Sequence, residues 1–71
     1  MTAARPAWEW ELLDRADAVL DRPLSPAFST RFDAEEWLGL HWRQLAEQGV
    51  AAVRLASYGQ PAAAPLSLRT A

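Results

Sequence analysis

The sequence predicts a small α+β domain in which two helices pack on a C-terminal two-stranded antiparallel hairpin. Three observations predict this fold: apolar residues at helical spacing near the N-terminus, a capped amphipathic segment that ends at Gly49, and β-forming residues with a period of two after that glycine. All 71 residues are expected to form one domain, with residues 1–5 as a loose tail.

The first predicted helix covers residues 7–21. Pro6 suits the first turn of a helix, where its missing N–H removes no hydrogen bond. The prolines that follow the segment end the helix, so residues 22–31 are a connector, with Phe28 and Phe32 expected against the core. The apolar residues at helical spacing are Trp8, Leu12, Leu13, Ala16, Val19 and Leu20.

The second predicted helix runs from Asp33 to Gln48. Asp33 is the expected N-cap because Glu36 follows it at the spacing of a capping box. Gly49 is the expected left-handed stop. Gly39 lies inside the helix at a cost of about 1 kcal/mol relative to alanine, which suggests the close approach of another backbone. The expected inner face comprises Ala34, Leu38, His41, Trp42 and Leu45.

Two strands are expected after the second helix, over residues 50–58 and 65–70. Gly59 begins a turn signal between them. An isolated hairpin is barely stable in water, so the pair is expected to lie on the two helices. The residues expected to face inward are Val53, Leu55, Leu66 and Leu68.

The composition excludes several kinds of site. The chain has no cysteine, which excludes disulfides and thiolate metal sites. Its single histidine cannot form a zinc site alone, and neither a metal nor another cofactor is expected. No apolar run approaches the ~20 residues of a membrane span, and no signal-peptide pattern is present. We therefore expect a cytoplasmic protein without membrane contact.

No catalytic motif is found, so the protein is predicted not to be an enzyme. His41 lies on the apolar face of the second predicted helix, whereas a general base needs an orienting partner and a substrate pocket. We expect it at the core edge with one hydrogen bond. Helix capping explains the carboxylates of Asp33, Glu35 and Glu36. The three glycines are ten residues apart and form no phosphate-binding loop.

Two helical surfaces are candidates for binding a protein partner or a second copy of the chain. One lies on the second helix, pointing away from the apolar face; the alternative is that the first helix and the connector cover it. The other is an acidic stripe headed by an exposed tryptophan on the first helix; the alternative is a solvated acidic face whose tryptophan packs on the C-terminal strand. The two sets are Trp37, Leu40 and Gln44, and Trp10, Asp14, Asp17 and Asp21.

From about residue 25 onward, a helix followed by a hairpin with arginines resembles the end of a winged-helix domain. The resemblance covers the order of the elements and no motif. It implies that the second helix is a recognition helix and that residues 59–65 are the wing. The residues that it places against nucleic acid are Arg43, Arg54, Tyr58 and Arg69.

The charge distribution argues against the nucleic-acid role. Residues 1–49 carry five arginines and nine carboxylates, a net charge of −4, while residues 50–71 carry two arginines and no carboxylate. Phosphate neutralisation dominates DNA affinity, and a recognition helix needs basic or polar residues toward the groove. The outward residues of the second helix are Glu36, Leu40, Arg43 and Glu47.

The preferred prediction is therefore a small non-enzymatic protein-interaction module, such as an adaptor, an inhibitor or an accessory subunit. A degenerate winged helix that binds protein fits the charges better than one that reads DNA. The alternative is a winged-helix-like transcription regulator that uses the hairpin arginines on phosphate.

Overall fold

The computed structural model describes residues 6–22 and 25–68. The α+β class is confirmed, but the described chain contains one helix rather than two, packed with an antiparallel sheet. In order, the elements are β1 (Glu9–Leu13), α1 (Arg31–Glu47), β2 (Ala52–Ser57), β3 (Gln60–Pro61) and β4 (Leu66–Ser67).

Strand β2 is the centre of the sheet. One of its edges pairs with β1, from Glu9 opposite Ala56 to Leu13 opposite Ala52. Its other edge pairs with β3 near Ser57 and with β4 near Ala52. Strands β3 and β4 thus act as one interrupted return strand. The antiparallel pairing expected after the helix is present, but within this larger sheet rather than as a separate hairpin.

The first predicted helix is wrong, because residues 9–13 form strand β1. Residues 8–12 alternate apolar and acidic side chains, which is the period of a half-buried strand. The same segment also satisfies helical spacing, so local pattern supports both structures. Pairing with β2 decides between them, since it places Trp10 opposite Leu55 in the core.

Asp14 turns the chain back after β1. Its Oδ1 accepts hydrogen bonds from the backbone N–H groups of Ala16 at 2.8 Å and Ala18 at 3.0 Å. Such side-chain bonds to the nearby backbone compete with helix formation. Asp17 has a φ of 64°, in the left-handed region that interrupts a right-handed helix. Acidic residues expected on an outer helical stripe therefore build a turn.

The connector closes the edge of β1 that does not face β2. The backbone N–H of Trp10 donates to the Oγ of Ser25 at 2.9 Å. Trp8 and Phe28 exchange two backbone hydrogen bonds of 3.2 and 2.8 Å. Phe28 packs against the core, as predicted.

Helix α1 begins two residues before its predicted start. Thr30 is the N-cap, because its Oγ1 accepts the backbone N–H of Asp33 at 3.1 Å. Asp33, the predicted cap, lies instead in the first turn, where a carboxylate complements the helix dipole. The helix ends at Glu47, and Gly49 with a φ of 95° provides the predicted left-handed stop.

The core lies between α1 and one face of the sheet. Trp10 joins the two layers, since its indole N–H donates to the carbonyl oxygen of Ala34 at 2.8 Å. The inward position predicted for Leu66 is wrong, because this residue of the short strand β4 is 52% exposed. The buried core residues are Trp10, Leu12, Ala34, Leu45, Val50, Val53, Leu55 and Leu68.

The opposite face of the sheet is also covered in part. Leu13 and Ala56 project from it and are buried. Between them, Glu11 and Arg54 stand directly opposite each other on β1 and β2. They form an ion pair with 2.6 Å between Oε1 and Nε. The arginine of the central strand is therefore held by its neighbour within the sheet.

Gly39 and Gly49 give opposite predictions for the same substitution. A Cβ at Gly39 would meet no atom within 4 Å, so the predicted close approach of another backbone is wrong. Gly39→Ala should raise the free energy of unfolding by up to about 1 kcal/mol. Gly49→Ala should lower it by about 1 kcal/mol, because a side chain strains the left-handed conformation. Urea denaturation followed by circular dichroism checks both, and equal signs would contradict this account.

Candidate binding surface

The outward face of α1 carries two large apolar side chains that the fold does not cover. Phe32 is 70% exposed and Leu40 is 75% exposed. Residues eight apart in a helix lie about 12 Å apart along the axis and about 80° apart around it. Phe32 and Leu40 therefore share one side of the helix, opposite the buried Ala34 and Leu45.

Three charged residues lie on the same side of the helix as Phe32 and Leu40. We call these five residues together the outer stripe. Within the described chain, Glu36 and Arg43 take part in no ion pair, although the Arg43 guanidinium lies 5.3 Å from the centre of the Trp42 ring. All members are exposed. The outer stripe comprises Phe32, Glu36, Leu40, Arg43 and Glu47.

An aromatic stack flanks the outer stripe. The ring of Trp37 lies 5.0 Å from that of His41 and 5.8 Å from that of Phe28, measured between centroids. The Nδ1 of His41 lies 2.9 Å from the carbonyl oxygen of Trp37, which can only accept. This nitrogen therefore carries the proton and donates. One hydrogen bond and one stacked ring agree with the structural role predicted for His41.

The predicted patch on this helix is divided by the fold. Leu40 and Gln44 are exposed, whereas Trp37 is half-buried in the aromatic stack. Phe32, which we expected against the core, lies outside it. The signal for this position is present in the sequence, because Phe32 precedes Leu40 by eight residues and a helix capped by Thr30 includes both.

The acidic stripe predicted on the first helix does not exist. Trp10, its expected exposed head, is only 4% exposed and lies in the core, paired with Leu55 of β2. Asp14 and Asp17 lie in the turn after β1, and Asp21 lies further along, just before the connector. The physical reason is the change from helix to strand, which turns Trp10 inward and separates it from the acidic residues.

The candidate nucleic-acid residues form no free basic patch within the described chain. Arg54 is half-buried and paired with Glu11. Arg43 lies on α1, and Tyr58 is exposed at the tight turn before β3 with a φ of 50°. Arg69 lies outside the described residues.

An open cleft of ≈ 360 Å³ lies between the turn after β1 and strand β4. The Asp14 carboxylate at its edge already accepts two backbone hydrogen bonds. The cleft is lined by Asp14, Arg15, Asp17, Ala51, Ala52, Pro65 and Ser67. It is open to solvent, and polar residues form about half of its lining, unlike an enclosed and mostly apolar ligand pocket.

Residues 6–22 and 25–68 hold no group of three or more histidine, cysteine, aspartate or glutamate side chains placed to bind a metal ion. In the same residues, α1 falls short of the length and apolar character of a membrane-crossing helix.

Comparison with known proteins adds no relative from which a role can be transferred. No family model matches the chain, and neither a curated protein nor a solved structure is similar to it. The outer stripe of α1 is therefore the feature on which a functional proposal rests.

Proposed function

We propose that this protein is a small non-enzymatic protein-interaction module that binds a protein partner through the outer stripe of α1. The exposure of Phe32 and Leu40 on one side of a helix carries the proposal. Single exposed apolar side chains are normal. Two on one helical stripe, with charged residues between and beside them, have the composition of an interface with apolar anchors and a polar rim.

The sheet edges are less suited to binding than the helix. The connector occupies the outer edge of β1 through the pairing of Trp8 with Phe28. On the other side, β3 ends at Pro61, and Pro65 directly precedes β4. Prolines cannot donate to an added strand and typically protect an edge against pairing. This leaves the helix as the favoured contact element.

The size of the chain supports a role beside a partner. A domain of this length buries about 60% of the surface that its unfolded chain exposes, so its own stability is modest. A partner on the outer stripe would bury apolar surface that the fold leaves in water. This fits an adaptor, an inhibitor or an accessory subunit.

A DNA-binding role is the alternative, and the charges favour it less. Glu11 neutralises Arg54 within the sheet. Glu36 and Glu47 place negative charge beside Arg43 on the exposed side of α1. Binding to duplex DNA depends on cations that neutralise phosphates, and these carboxylates oppose it.

Replacing Leu40 with aspartate tests the proposal. Leu40→Asp should abolish the capture of partner protein, because it places a charge at an apolar anchor. The fold should survive, with a change in unfolding free energy of about 0.5 kcal/mol or less, as for other exposed positions. The measurement compares proteins captured from native lysate by immobilised wild type and variant, with circular dichroism as the folding check.

Val19→Asp is the matched control. Val19 is 57% exposed in the segment after β1, so this change also replaces an exposed apolar residue but leaves α1 intact. Proteins bound through the outer stripe should be captured by the wild type and by Val19→Asp but not by Leu40→Asp. An unchanged set with Leu40→Asp would contradict the proposal, and so would unfolding of that variant.

A further inference from the structure

We propose that the partner of the outer stripe is a second copy of this chain, with the two α1 helices antiparallel across a two-fold axis. This inference rests on the proposed function and identifies the partner that binds the outer stripe. It is carried by the order of charges along α1 and by the exposure of Leu40 between those charges.

The register follows from helical geometry. Glu36 and Arg43 lie three and a half residues on either side of the midpoint between Gly39 and Leu40. At 1.5 Å per residue, each is about 5 Å from that midpoint along the axis. A two-fold axis that is perpendicular to the helices and level with this midpoint makes the second helix antiparallel to the first. Glu36 of one copy is then level with Arg43 of the other, and the pair occurs twice.

The two charges also point in the same direction. Seven residues correspond to nearly two full turns, so Glu36 and Arg43 differ by about 20° around the helix. Both are exposed, and neither has an ion-pair partner in the described chain. A parallel arrangement would bring glutamate to glutamate and arginine to arginine. Charge complementarity therefore selects the antiparallel one.

Leu40 fits the same register. The two-fold axis is level with the midpoint between Gly39 and Leu40, so the Leu40 residues of the two copies are offset by only about 1.5 Å along the helix axes. The symmetry also keeps them on the same flank of the contact, where they face each other. A leucine that is 75% exposed in the single chain would thus be covered by the same residue of the second copy.

The contact is small, so the dimer is expected to be weak. The outer stripe is about 22 Å long at 1.5 Å per residue. A single pair of such helices buries less than the about 1,200 Å² of a standard stable interface. Association should therefore depend strongly on protein concentration, and the measurement must extend to about 1 mM.

Charge reversal tests this register by sedimentation velocity from about 10 μM to about 1 mM. The wild type should dimerise within this range. Glu36→Arg and Arg43→Glu, each alone, should weaken dimerisation about tenfold or more, because two attractive pairs become repulsive. An equimolar mixture of the two variants should recover the wild-type affinity, since arginine then faces glutamate at both contacts. The double variant Glu36→Arg/Arg43→Glu should also dimerise like the wild type.

The outcomes separate this inference from the proposed function. A wild type that stays monomeric across the range would contradict the inference that the partner is a second copy of the chain. Leu40-dependent capture of another protein would in that case still support the proposed interaction module. Single variants that dimerise like the wild type overturn the register, as does a mixture that stays monomeric. Both positions are exposed, so the variants should fold; if one does not, the wild type, Leu40→Asp and the double variant still decide the outcome.

Discussion

Trp10→Ala is expected to lower the free energy of unfolding by about 3–5 kcal/mol. Trp10 is buried in the core cluster, and its indole N–H donates to the carbonyl oxygen of Ala34 at 2.8 Å. It is therefore a direct link between β1 and α1. A chain of this length has a total unfolding free energy of about 4–11 kcal/mol. The loss should be visible in urea denaturation followed by far-UV circular dichroism.

A second substitution separates packing from hydrogen bonding. Trp10→Phe keeps most of the ring volume but removes the donor, and we expect a loss of about 1–3 kcal/mol. Trp42→Phe is the control, since Trp42 is half-buried on the same core and makes no hydrogen bond to the sheet in the described chain. It should cost less than Trp10→Phe. If Trp10→Ala were as stable as the wild type, the result would contradict the buried position of Trp10 and would support the exposed position predicted from the sequence.

Leu13→Ala is expected to cost about 2–5 kcal/mol of unfolding free energy. Leu13 is 0% exposed although it projects from the face of the sheet opposite α1. Val19, in the segment after the turn, forms an isolated antiparallel bridge with Leu13. Its carbonyl oxygen also accepts the backbone N–H of Ala51 at 2.8 Å. Removing its side chain leaves a cavity at the junction of β1, the turn and β2, which denaturation in urea will detect.

Leu66→Ala is the matched control for Leu13→Ala. The sequence predicts Leu66 as an inward residue, whereas the structure leaves it half exposed on β4. Its replacement should therefore cost about 1 kcal/mol or less. A loss at Leu66 equal to that at Leu13 would indicate that β4 packs more deeply than described, and a negligible loss at Leu13 would contradict the covered second face.

Local sequence is sufficient to predict α1 and β2. Helical spacing identified α1, and Gly49 was recognised as the left-handed residue that ends it. The change to β-forming residues located β2, with Val53 and Leu55 inward. These signals act between residues within about one helical turn or one strand, so no distant contact is needed to read them. The N-cap was misplaced because Asp33 and Thr30 are both good caps.

The surface of α1 was predicted only in part. The sequence identifies Leu40 as a contact candidate, but it does not decide whether the first predicted helix and the connector cover it. The structure leaves Leu40 exposed, since the segment predicted as the first helix contains β1, within the sheet that packs on the other side of α1. The prediction that Phe32 lies against the core is wrong because its exposure depends on how the connector enters α1. Local periodicity does not determine that geometry.

Long-range pairing was needed for the first half. Residues 8–12 satisfy both a helical and a strand period, so neighbouring residues cannot choose between them. The choice comes from β2, where Arg54 meets Glu11 across 43 residues of sequence and Leu55 meets Trp10. A strand hydrogen-bonds to its neighbour, whereas a helix bonds to itself. The structure of residues 9–13 therefore depends on a partner strand that no local signal contains.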